Sequence, residues 1–81
     1  MSDTLDRIKK VTAEVLKVDP SNVKDDSKFV QDLGAESIQS IELVAAFEEE
    51  FDIEMDEDEA LSVKSVGDAA EFIDNVIKQQ K

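Results

Sequence analysis

What constrains this chain most is how little interrupts it. Only two glycines and one proline stand among its 81 residues, and no alternating run of β-branched residues marks a strand. Apolar residues recur instead at intervals of three and four. Leu5, Ile8, Val11, Val15 and Leu16 form one stripe over residues 4–17, and Ala69, Ala70, Phe72, Ile73, Val76 and Ile77 form another over residues 66–78. A third helical segment is predicted for Ser37–Phe51, and a short helical turn for residues 56–61, after Ile53 and Met55. The expected fold class is all-α, a single domain over residues 1–81 with four helices of which the third is short.

The ends of these segments carry their own signals. Ser2 or Asp3 is the N-cap candidate of the first helix, and Asp19-Pro20-Ser21-Asn22 is expected to end it. Ser65-Val66-Gly67-Asp68 resembles a capping box opening the last helix. The long connection over residues 18–36 contains Val23, Phe29, Val30 and Leu33, predicted to anchor it against the helices, and Gly34, where the closing turn calls for a positive φ.

The charge balance removes whole classes of function. Nine Lys and Arg face 21 Asp and Glu, a formal net charge of -12, with no cysteine and no histidine. Thiol catalysis, disulfides, imidazole base chemistry and a conventional zinc site are excluded, so no enzyme activity is expected. A nucleic-acid partner would need the opposite charge. The start of the chain lacks a basic and then apolar leader, and the longest apolar run, Leu43-Val44-Ala45-Ala46-Phe47, is far short of a membrane span, so a cytoplasmic location is the expectation. No metal is expected either. Counted as a calcium-binding loop from Asp52, the chain places Glu57 where the turn glycine belongs and Val63 where the bidentate Glu belongs.

The second helix has two apolar faces. With Leu43 at zero and about 100° per residue, Val44, Phe47 and Phe51 fall on one side, while Ile38, Ile41 and Ala45 fall roughly opposite. The first stripe suits the core of a small bundle; the second is ringed by Glu42, Glu48, Glu49 and Asp52 and reads as a strip for docking a partner. From Glu36 to Glu59 no lysine or arginine occurs, so this region would steer basic partners toward it.

With no histidine in the chain to serve as its base, none of its seven serines is expected to activate itself, but one could be a passive attachment point. A phosphate-linked group is best held at a helix N-terminus, where free N–H groups and the helix dipole favour an anion. Ser37 and Ser65 both qualify. Asp68 would repel a phosphate near Ser65, whereas Ser37 has neutral Ser40 at the same offset. By position alone Ser37 could equally be a plain N-cap, and Ser40 is expected to bond back to its own helix.

Asp32-Leu33-Gly34-Ala35-Glu36-Ser37-Ile38, followed by Glu42-Leu43-Val44 and Glu48-Glu49-Glu50-Phe51-Asp52-Ile53-Glu54, resembles the bacterial type II acyl carrier proteins, and the likeness extends over nearly the whole chain. The resemblance implies an antiparallel four-helix bundle with a long loop between the first two helices. It implies 4′-phosphopantetheine joined to Ser37 through a phosphodiester, its terminal thiol holding acyl groups as thioesters. It also implies a monomeric carrier whose partners are a phosphopantetheinyl transferase, acyltransferases and ketosynthases, met through Glu36, Ile38, Ile41, Glu42, Ala45, Glu48 and Glu49. The family's acyl chain can fold back between the helices, and the small Ala46, Ala60, Ala69 and Ala70 would leave room for it. Burial is worth about 0.8 kcal/mol per methylene, enough for partial insertion to shelter a thioester. Two departures stand out: Glu36-Ser37-Ile38 where the family has Asp-Ser-Leu, and Ala45 where it commonly has Met. Both suggest a carrier for a particular pathway. From another class, an unmodified acidic adaptor that docks basic proteins through the same strip is the alternative.

Self-repulsion among the carboxylates opposes compaction. The midpoint of urea unfolding is therefore expected to rise with millimolar magnesium or calcium, and an unchanged midpoint would contradict this account of its stability.

Overall fold

A computed structural model describes residues 3–80. Four α-helices follow one another: α1 (Asp3–Leu16), α2 (Ser37–Phe51), α3 (Glu57–Leu61) and α4 (Val66–Gln80), with a 3₁₀ turn at Pro20–Asn22. Among the described residues no strand forms, and a lone antiparallel bridge joins Lys28 to Ser65. The predicted helices are present, with small differences at their ends.

The first helix stops earlier than its proline suggested. Lys17 adopts φ 58°, and the Val18 N–H reaches back to the Ala13 carbonyl at 3.1 Å, which closes a Schellman turn without glycine. Pro20 opens the 3₁₀ turn instead, capped by Asp19, whose carboxylate accepts from the Ser21 N–H and hydroxyl. These bonds to the charged form, the backbone one foremost, hold the Asp19 carboxyl below its ordinary pKa. Asp3 is the first residue of α1, and Ser2 lies outside the described residues. The second helix ends in the same way at Asp52, φ 54°, with the Ile53 N–H on the Glu48 carbonyl. Asp56 caps α3 through the Glu59 N–H, and α4 runs two residues beyond the expected Lys78.

The core gathers where the stripes meet. Ile8, Val11 and Leu16 of α1 pack with Leu43 and Phe47 of α2, and with Ala69 and Ile73 of α4. Thr4 donates to Asp74 at 2.7 Å, and the Arg7 guanidinium binds both the Glu50 carboxylate and the Glu50 carbonyl while lying 4.4 Å above the Phe51 ring. The start of α1 thus meets the ends of α2 and α4, so α1 runs antiparallel to both.

The connection over residues 18–36 does lie against the helices. Val23 and Phe29 are buried and Leu33 is half-buried, and the Phe29 ring tilts against Phe47 at 6.4 Å between centroids. Val30 is the exception, 60% exposed, contrary to the expected anchoring. Residues 28–35 coil as a helical turn, with Leu33 N–H on the Lys28 carbonyl and Gly34 N–H on the Val30 carbonyl. Phe29 and Leu33 then share the inward side, one turn apart, and Val30 is rotated away from it. Gly34 has the positive φ its position called for, 73°.

Thr12 is fully buried in α1, and its hydroxyl finds no partner among the described residues. Thr12→Val keeps the branched shape and removes an unmatched polar atom. It is expected to raise the unfolding free energy by about 1 kcal/mol, seen as a higher urea midpoint at unchanged slope.

Candidate functional site

The start of α2 is built by residues on both sides of Ser37. Gly34 turns the chain, Ala35 buries its methyl group and donates to the Phe29 carbonyl at 2.8 Å, and Glu36 follows in an extended conformation as the N-cap. Gln39 reaches back, its Oε1 accepting from the Glu36 N–H at 2.9 Å. A glutamine three residues after the cap is the sequence mark of such a capping box. Because Glu36 is the cap, Ser37 is the first helical residue, and the N-cap role open to it by position falls away.

That shift leaves the Ser37 hydroxyl without work in the fold. It is exposed and has no hydrogen-bond partner among the described residues. The other described serines are all engaged. The Ser21 hydroxyl donates to Asp19, Ser40 to the Glu36 carbonyl at 3.4 Å and Ser62 to the Glu59 carbonyl, while Ser27 accepts from Lys24 N–H and Ser65 from Asp68 N–H. The Ser65 bond is one half of the expected capping box. Beside Ser37, no acceptor meets the N–H groups of Ser37 and Ile38 among the described residues. An exposed hydroxyl beside unmatched helix N–H groups fits a phosphodiester well.

The two faces of α2 divide as expected. Leu43 and Phe47 are buried, with Val44 and Phe51 half-buried, whereas Ile38 is 66% and Ile41 48% exposed, and Ala45 lies open on the same side. Glu36, Glu42 and Glu49 are exposed around this strip. Glu48 differs, since it is half-buried and its carboxylate accepts from the Met55 N–H at 2.8 Å, holding the chain that leaves α2.

On the other side of Ser40 a cavity of about 380 Å³ opens between the loop, α2, the α3 region and α4. Phe29, Leu43, Phe47, Phe72 and Ile73 make its apolar walls. Of the four small residues expected to leave room, Ala60 and Ala69 line it; Ala46 and Ala70 do not and pack among the helices instead. Ser37 lies outside its lining, one turn ahead of Ser40. Lys28, Gln31 and Lys64 also border the cavity, and nothing in the spacing of the sequence brought them together.

The family described as "Phosphopantetheine attachment site" matches residues 6–73. The acyl carrier protein of Sulfurovum sp. is 55% identical over 71 residues, 88% of this chain and 95% of that protein. Those of Phenylobacterium zucineum and Caulobacter vibrioides are each 51% identical over 73 residues, 90% of this chain and 92% and 94% of theirs. No helix of the described residues is long and apolar enough to cross a membrane. A family match over residues 6–73 and relatives of this similarity show that the chain belongs to the phosphopantetheine-bearing acyl carrier proteins.

Proposed function

We propose that 4′-phosphopantetheine is attached at Ser37, and that the chain, as a single carrier domain, holds acyl groups and presents them to biosynthetic enzymes. One observation supports this above the others: Ser37 is the described serine whose hydroxyl serves no bond of the fold, and it stands exposed at a helix N-terminus. Attachment forms a P–O bond to the Ser37 oxygen and breaks the pyrophosphate bond of coenzyme A, with the nucleotide portion as leaving group. The base that removes the serine proton is assigned to the transferase, because the Ser37 hydroxyl meets no carboxylate among the described residues and the chain has no histidine. When attached, the group supplies a flexible arm whose terminal thiol holds acyl groups as thioesters.

The chain's own residues then do three things. Unmatched N–H groups at the start of α2 face the phosphate charge, and the positive end of the helix favours it. Ile38, Ile41 and Ala45, fringed by Glu36, Glu42 and Glu49, offer a basic-surfaced transferase, ketosynthase or acyltransferase an apolar centre and an acidic rim. The cavity beyond Ser40 shelters the apolar part of a cargo from water. A carrier acting as a monomer suits a strip that must be left by one enzyme before the next arrives.

Incubation with coenzyme A and a phosphopantetheinyl transferase is expected to add one arm by intact mass, to the wild type and to Ser65→Ala but not to Ser37→Ala. Addition to Ser37→Ala would move the attachment site to another residue, and none to the wild type with several transferases would leave an unmodified adaptor. Ile41→Ala with Glu42→Lys is expected to slow transferase encounter about ten-fold at low salt while far-UV helicity stays unchanged. Lost helicity would mean that Ile41 faces the core.

A further inference from the structure

The cavity beside Ser40 has an uneven distribution of charge. The chain holds 21 carboxylates against 9 cations, and yet Lys28 and Lys64 border the cavity while no Asp or Glu does. Its other polar lining residues, Gln31 and Ser40, are neutral. The two lysines are neighbours through the backbone, since the Phe29 N–H donates to the Lys64 carbonyl at 3.0 Å and Lys28 bridges to Ser65. Both are exposed, and neither ammonium has an ion-pair partner among the described residues. They belong to the loop and to the segment before α4, not to α2, which bears Ser37 and Ser40.

From this arrangement we propose that the cavity favours an acyl cargo whose chain is long enough to span it and ends in a carboxylate, a medium-chain dicarboxylic acid held as its half-thioester. The inference rests on the carrier function above and deepens it by naming a class of cargo. The methylenes of such a chain lie along Phe29, Leu43, Phe47 and Phe72, and its far carboxylate comes out where Lys28 and Lys64 stand. Exposure of both lysines matters here. A carboxylate at this edge keeps part of its hydration while it meets two cations, so the desolvation that forbids a buried charge does not apply. Elsewhere on the chain the same carboxylate would face an excess of like charge.

The test compares wild type with the surface variant K28Q/K64Q, which keeps both backbone bonds. Each is loaded by a phosphopantetheinyl transferase from octanoyl-coenzyme A and from suberyl-coenzyme A, cargoes of equal length that differ in the terminal carboxylate. Intact mass reports loading, and the rate at which neutral hydroxylamine releases the acyl group reports how well the thioester is sheltered. At low salt the suberyl group is expected to leave K28Q/K64Q about five-fold faster than wild type, with the octanoyl rate unchanged and the suberyl difference shrinking at high salt. Equal suberyl release from both proteins, or the same acceleration for both cargoes, would overturn the proposal. If neither cargo loads, the carrier reading fails first, and mass alone shows it.

Discussion

The arrangement of the whole molecule depends on a short backbone ladder between the long loop and the start of α4. The Val66 N–H donates to the Ser27 carbonyl at 2.9 Å, the Gly67 N–H to the Asp25 carbonyl at 2.8 Å, and the Phe29 N–H to the Lys64 carbonyl. These bonds satisfy N–H groups that the first turn of a helix leaves open, and they hold down a loop too long to order itself. Gly67 suits this junction, since a Cβ there would stand 3.0 Å from the Asp25 carbonyl oxygen, close enough that the loop backbone would have to give way slightly. Once the loop is fixed, Phe29 meets Phe47, Ala35 is drawn into the core, and α2 begins with Ser37 facing out.

Two of the chain's cations tie α1 to its neighbours. Arg7 ties α1 to the end of α2 through Glu50 and Phe51, and Lys9 pairs with Asp25 of the loop. Exposed pairs of this kind contribute little individually, typically below about 1 kcal/mol. Their placement still matters in an acidic chain, because each brings an acid-bearing segment close to α1. The exposed acids around Ile38 and Ile41 meet no cation among the described residues, as the docking role proposed for this strip requires.

Much of the site could be read from residue order. Helical spacing separated Leu43 and Phe47 from Ile38 and Ile41. Ser37 stood out because it opens a helix whose first turn carries no acid, and Gly34 because the turn it closes calls for a left-handed residue. Local signals misled where two of them competed. Pro20 looked like the end of α1, but Lys17 and the Ala13 carbonyl had already closed it, and Val30 looked like an anchor until the turn over residues 28–35 rotated it outward.

Sequence alone therefore determined which segments are helical, which side of each is apolar, and that any chemistry must be brought by another molecule. These properties depend on neighbours within a turn or on composition, and both are written along the chain. Folding decided that Glu36 and not Ser37 caps α2, and that Ser37 alone of the described serines has a hydroxyl with no bond to make. It also decided that Lys28 and Lys64, thirty-six residues apart, border one cavity with no carboxylate among its walls. Such contacts join positions distant in the chain, and only the packing of loop against helix sets how close they come.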